Sequence, residues 1–264
     1  MLAGALLYIF MRLRGEPRPS LVQIRNAAII GGAFILCGNG AVVWTEQFVP
    51  SGIVALLVAI LPFWIVLIEW VGPGRVRPSL GVSIGLLMGI AGIVFLIGPD
   101  ALHPSTAEGG ALLKGAIVLM ASSLSWALGT IYSRRAELPR SAFTATGLEM
   151  FCGGAMLFVV SLIAREPMQF DPATVSTGSL AGFIYLTTIG SLVGFTAFIW
   201  LLQHQPAARV STYAYVNPVV AVFLGWAIAG EPITLRTLIA AAIIIGAVAM
   251  ITTARSSLPL PEPD

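Results

Sequence analysis

The sequence predicts an all-α membrane protein, and three observations carry that reading. Of the 264 residues, 57% are hydrophobic and 10% are charged. A soluble domain carries about 25% charged residues, so too little polar surface remains here to coat a water-soluble globule. The apolar residues fall in runs long enough to cross a bilayer, which takes about 20 residues. The basic residues, nearly all Arg, are distributed unevenly between alternate loops, as expected when one side of the membrane retains positive charge.

Eight stretches are long enough to span: 26–47, 50–70, 80–98, 111–133, 142–164, 178–204, 208–229 and 236–254. A ninth, 1–11, is half length. It lacks a basic stretch before its apolar run, and Arg12 and Arg14 follow it, so it reads as the end of a spanning helix and not as a signal peptide. Placing the loop after Arg12 in the cytoplasm and alternating from there puts eleven basic residues inside. Only Lys114, Arg165 and Arg236 then lie outside, together with the acidic 98–110 loop. The tail 255–264 is Pro-rich and polar and is expected to be disordered and cytoplasmic. The net charge of +2 is scattered, and no basic stripe suggests nucleic acid. Cys37 and Cys152 sit inside apolar runs, as small core residues and not a disulfide framework.

An internal repeat organises these spans. At an offset of 156 residues, Gly38 meets Gly194, Trp44 meets Trp200, Gln47 meets Gln203 and Pro50 meets Pro206. Further on, Pro62 meets Pro218, Trp70 meets Trp226 and Gly74 meets Gly230. The second copy, 111–254, holds five spans. An odd number of crossings reverses the next copy, so two such units, 1–98 and 111–254, form an inverted-topology repeat, a common plan of secondary transporters. The same offset places the counterpart of the 111–133 helix before Met1, so a first helix is expected upstream of this chain.

Candidate chemistry lies at depth within the spans. Pro62 and Pro218 stand mid-helix at equivalent places, where proline removes a backbone donor. Unpaired carbonyls are tolerated in a membrane where they meet protein or line a wet cavity, which makes both prolines candidate helix breaks around a substrate site. Glu149 lies well inside the 142–164 span, where a carboxylate is costly. It is a candidate carrier of a coupling proton, or alternatively a structural acid bonded to a neighbouring helix. Asn39, Trp126, Tyr213 and Asn217 are the other candidates for lining a substrate cavity. Tyr213 and Asn217, four apart, share a helix face. Each of these could equally hold helices together. Gly81, Gly85 and Gly89 recur every four residues and permit another helix to approach closely, within the chain or between copies in an oligomer.

Other signals are missing. No phosphate-cradling GxxxxGK loop points to ATP-driven pumping. No metal-ligating motif is present, and His103 and His204 stand far apart. No cofactor is implied.

The segments CGNGAVVWTEQFVPSGIVALLVAILP (37–62), SSLSWALGTIYSRR (122–135) and STYAYVNPVVAVFLGWAIAGE (211–231) resemble the EamA family of the drug/metabolite transporter superfamily. The resemblance covers nearly the whole chain. It implies ten helices in two inverted five-helix repeats, of which eight full helices and one partial helix fall here. It also implies a central cavity, cytoplasmic termini, and export of small metabolites or drugs without ATP hydrolysis. The sequence departs from the family pattern at Gly74–Arg75, where Gly-Glu usually follows the fourth helix; the second copy keeps it as Gly230–Glu231. The reading is therefore a multi-pass carrier of the cytoplasmic membrane, and not an enzyme. The alternatives are a non-transporting scaffold or receptor, or a carrier inactivated by a missing first helix.

Overall fold

In a computed structural model the structure describes residues 1–72, 77–98, 107–204 and 213–256, and the described residues form helices and no strand. In chain order these are α1 (Leu2–Leu13), α2 (Leu21–Gly31), a π-helical segment (Gly32–Asn39), α3 (Gly40–Thr45), α4 (Ser51–Val58), α5 (Leu61–Val71) and α6 (Leu80–Ile97). There follow α7 (Ala107–Ser133), α8 (Ala142–Ile163), the short α9 (Glu166–Gln169), α10 (Thr177–Tyr185), a second π-helical segment (Leu186–Phe195), α11 (Thr196–His204), α12 (Tyr213–Ala229) and α13 (Leu235–Ser256). Seven continuous spans among the described residues are long and apolar enough to cross a bilayer. The expected 208–229 span is shorter in its described part, and residues 205–212 lie outside the described residues. So do Arg75, His103 and the tail beyond Ser256.

Local chemistry sets the helix boundaries. Ser20 and Gln23 form a reciprocal capping box, each side chain bonding the other's backbone N–H, and this starts α2 five residues earlier than apolarity alone suggests. Ser79, Ser141, Ser176 and Thr234 cap α6, α8, α10 and α13 in turn. The 51–71 span is two helices separated at Ala59 and Ile60, with Pro62 in the first turn of α5 where its missing N–H costs little. Pro218 behaves differently: α12 runs through it without interruption, so the break expected there is a proline within a continuous helix.

Some of these boundaries recur at the 156-residue offset. The serine caps of α2 and α10, Ser20 and Ser176, stand 156 residues apart. The two π segments overlap at the same offset, and so do α6 and α13. The contacts divide the chain into two compact units: 1–40 with 129–205, and 41–128 with 206–264. Each unit draws on both sequence copies.

In the first unit α8 is the central element, packed by α1, α2, the first π segment and α11. Helices in lipid gain nothing from hiding apolar surface from one another, since lipid tails are as apolar as Leu; they associate by close packing. Here the approach is backbone to backbone. A Cβ placed on Gly31 would lie 2.2 Å from the Glu149 carbonyl oxygen, and one on Gly153 would lie 2.3 Å from the Gly31 carbonyl oxygen. On the α1 side, a Cβ on Gly4 would lie 2.4 Å from the Phe151 nitrogen. Phe34, fully buried, sets its edge against Phe195 and Phe198. Cys152 is half-buried, whereas Cys37 is exposed on its span and is not the core residue expected.

In the second unit α6 packs along α13. The Gly81, Gly85, Gly89 face is used for this contact within the chain: a Cβ on Gly85 would meet Ile251 Cγ1 at 2.7 Å and the Ala247 carbonyl at 3.0 Å. Val54, Leu56 and Leu57 of α4 join Leu96, Leu119 and Ile244 in the core of this unit. A charged cap fixes α4. The Glu231 carboxylate accepts from the backbone N–H of Ser51 at 2.8 Å and of Gly52 at 3.1 Å. Gly230, at φ +67°, turns the chain out of α12, and a Cβ on Gly225 would lie 2.5 Å from Glu231 Oε2. Partial burial of Glu231 acts to raise its pKa, but the hydrogen bonds from Ser51 and Gly52 outweigh it and hold the carboxyl below its usual value. Glu46 is pushed up by burial and by the negative charge of Glu231.

Two outcomes test these contacts. Gly31→Ala is expected to destabilise the protein by about 1–3 kcal/mol or more, because backbone must move. Gly32→Ala, whose nearest neighbour is the flexible Met156 sulfur at 3.2 Å, is expected to stay within about 1 kcal/mol of wild type; thermal midpoints in detergent compare the two. Glu231→Ala is expected to cost about 1 kcal/mol at neutral pH, the usual worth of a helix N-cap. Because the folded carboxyl lies below its unfolded value, its contribution is complete above the unfolded pKa and is lost as pH falls through the folded one. The gap between wild type and Glu231→Ala should therefore close in acid, and a gap constant with pH would exclude the charged cap.

Candidate functional site

The strongest candidate for chemistry at depth is Glu149. It sits on α8 with no solvent exposure, between the Gly147 and Gly153 close approaches that bring α1 and α2 onto its helix. Neither carboxylate oxygen has a hydrogen-bond partner among the described residues. Thr144 and Thr146 on α8 and Thr196 on α11 are also buried, and their hydroxyls likewise lack partners among the described residues. Serine and threonine hydroxyls within helices commonly bond the carbonyl one turn back, as Thr45 and Ser123 do here at 2.8 Å. The three threonines do not, so donors and acceptors remain available around α8. A bare carboxylate in dry surroundings is costly unless a proton or a cation neutralises it. Exchange of either is the chemistry this arrangement can perform.

The other sequence candidates are placed as follows. Asn39, exposed, ends the first π segment and belongs with Glu149 to the first unit. Trp126, Tyr213 and Asn217 belong to the second unit. Trp126 is half-buried on α7 and packs against the cluster of Leu61, Ile65 and Ala127, beside the turn that carries Pro62. Tyr213 begins α12, and its side chain lies outside the described residues. Asn217 is exposed and Pro218 buried. No group of three or more His, Cys, Asp or Glu among the described residues could hold a metal ion. The void between α6 and α13 has about 10 Å³ and apolar walls, room for a single water at most.

The structure adds residues that motif reading passed over. The two π segments are wide turns of a kind that recurs at functional sites, and both lie in the unit that holds Glu149. The only sequence hint was the Gly38–Gly194 pairing. Gly31, Gly147 and Gly153 enclose Glu149; the hint was the GLEMFCGG composition around it. Asn26, buried, donates to the Glu137 carbonyl at 3.0 Å and accepts from the Tyr132 hydroxyl at 2.9 Å, fixing the 134–141 loop to α2.

Comparison with known proteins bears on this frame. A model of the EamA-like transporter family matches residues 113–253. The chain is 35% identical to the uncharacterized inner membrane transporter YedA of Escherichia coli K12, over 97% of this chain and 80% of that one. It is 23% identical to the uncharacterized transporter YoaV of Bacillus subtilis, over 78% and 68% of the two chains. A 29% identity to the protein PecM of Dickeya dadantii covers 67% of this chain and 56% of that one. A solved crystal structure, 21% identical, superposes with a TM-score of 0.60 over 96% of this chain and 85% of the other, and shares the fold. An all-α chain of apolar spans, matched by this family model over more than half its length, belongs to the EamA-like transporter family and is a membrane transporter.

Proposed function

We propose that this transporter is a secondary exporter of small organic solutes, working by alternating access between its two inverted sequence copies and driven by a proton carried on Glu149. The observation that carries the proposal is the Glu149 carboxylate, fully buried at the centre of the first unit with neither oxygen bonded among the described residues. A structural acid would be expected to hold a donor. A proton carrier needs a site that can be charged in one state and neutral in another. The proton is the coupling ion in this reading, and Asn39, Trp126, Tyr213 and Asn217 are the proposed contacts of the solute. The chain lies in the inner membrane with its C-terminus in the cytoplasm, on the Arg asymmetry of its loops. The chemistry uses no cofactor and no ATP.

Glu149→Gln keeps the shape of the side chain and cannot ionise. In proteoliposomes loaded with a cytosolic metabolite mixture and followed by mass spectrometry, it is expected to abolish efflux driven by an imposed pH gradient. Solute exchange without a gradient should continue. Glu149→Asp, which withdraws the carboxyl by about one methylene, should retain part of the driven efflux with a displaced pH profile. An unchanged pH profile in Glu149→Gln removes the residue from the mechanism.

A further inference from the structure

Within the first unit, a cleft of about 820 Å³ opens at the start of α8, with the end of α11 as one wall. We propose that His204, in that wall, is the group through which Glu149 exchanges its proton with the cytoplasm. The proposal rests on the reading of Glu149 as the proton carrier.

Export driven by inward proton flow requires Glu149 to release its proton to the cytoplasmic side in each cycle. Glu149 has no solvent exposure, so other groups must hand the proton on. On the proposed topology the cleft lies at the cytoplasmic end of α8. Ala142 lines the cleft, and Thr146 and Glu149 follow it by four and then three residues, on one face of α8. Glu149 is therefore about 10 Å beyond Ala142 along the helix axis, with Thr146 about midway. The Thr146 hydroxyl is fully buried and has no partner among the described residues. It does not touch the cleft in the arrangement seen, as a carrier requires of the side that is shut. α11 packs on α8 and carries a second such line. Thr196, Trp200 and His204, four apart, share one face, with Trp200 and His204 in the cleft wall and Thr196 buried and its hydroxyl unbonded among the described residues.

Imidazole is the side chain suited to taking up and releasing protons near neutral pH, and His204 is the one histidine among the residues lining the cleft. Its Nδ1 lies 2.8 Å from the Trp200 carbonyl oxygen. A carbonyl only accepts, so Nδ1 carries the hydrogen and Nε2 holds the lone pair of the neutral ring. Stacking on the Trp200 ring, at 4.4 Å and 17° between planes, keeps the imidazole in one orientation. Glu16 and Arg18 face the same cleft from the α1–α2 connection and Arg140 from the α7–α8 connection, while Arg12 donates to the Glu16 carbonyl. The two arginines oppose an imidazolium and Glu16 supports one. When the cytoplasmic end opens, water enters past Thr146. The Glu149 carboxyl loses its proton and becomes carboxylate, water passes the proton to His204 Nε2, and the imidazolium releases it to bulk water.

The test follows Glu149 itself. The full chain is placed in phosphatidylcholine liposomes with its cytoplasmic face outward, and the external pH is raised rapidly. The infrared carbonyl band of protonated Glu149, identified by its absence in Glu149→Gln, is timed as it disappears. His204→Ala is expected to slow this loss about tenfold and to leave the pH midpoint of the band in place. Imidazole added to the external buffer should restore the rate. His204→Gln, which keeps a polar side chain but carries no proton, should be as slow as His204→Ala. A structural role for His204 would move the band midpoint or the thermal midpoint and would not respond to imidazole. Equal rates in wild type and His204→Ala, or a slowed rate that imidazole does not restore, overturn the relay and leave Glu149 as the carrier. A wild-type band that is absent or does not change with pH overturns the Glu149 reading and the relay with it.

Discussion

The backbone contact between α2 and α8 is the constraint on which the first unit depends. With lipid outside, no hydrophobic gain draws these helices together, and closeness of packing must substitute for it. Gly31 and Gly153 supply that closeness, each set so near the other helix that no side chain fits between. The same closeness explains the state of Glu149. Its carbonyl faces Gly31, its carboxylate is left no bonding partner among the described residues, and α1 closes the other side through Gly4 and Gly147. Sealing of an acid therefore follows from how the helices cohere.

The second unit is organised by charge at one point as well as by small residues. Glu231 ties the end of α12 to the start of α4, and Gly225 and Gly230 give it room and direction. Its counterpart in the first sequence copy is Arg75, and the counterpart of Ser51 is Ala207. The two sequence copies share serine caps at Ser20 and Ser176, but the residues of the charged cap differ in sequence between them. A carrier with strictly equal halves would hold its two alternating states at equal free energy. A carboxylate at 231 whose counterpart at 75 is an arginine is the kind of sequence difference that sets a preference between them.

Most of the helical plan was legible because bilayer thickness fixes the length of apolar run that a span needs. Boundaries were less so where polar chemistry overrode apolarity. Ser20 and Gln23 start α2 ahead of its apolar run, and Ala59–Ile60 split a run that reads as one helix, although Pro62 signalled the split. Pro218, its repeat partner, sits in an unbroken helix, so the pairing of prolines by sequence did not carry over to their geometry. Glu149 was legible because a lone acid at depth stands out against an apolar background. The buried threonines of α8 and α11 were not, since a threonine in a membrane helix ordinarily bonds its own backbone and leaves no trace of whether it has done so. The clamp of Asn26, Tyr132 and Glu137 was invisible for another reason: it joins residues more than 100 positions apart, and neither composition nor spacing encodes that separation.

A buried hydroxyl without a partner costs about 1–3 kcal/mol relative to a bonded one, and valine would fill nearly the same volume without that cost. Thr146 and Thr196 lie on α8 and α11, which pack together in the unit that holds Glu149. A protein with one resting arrangement has no use for polar groups left unsatisfied in it. Under the proposed alternating-access reading, the arrangement seen is one of at least two of comparable free energy. Groups unsatisfied in one state raise its free energy and are available to solute, proton or water in the other. The cost of these side chains then keeps the closed packing around Gly31 and Gly153 from being so stable that the helices never part.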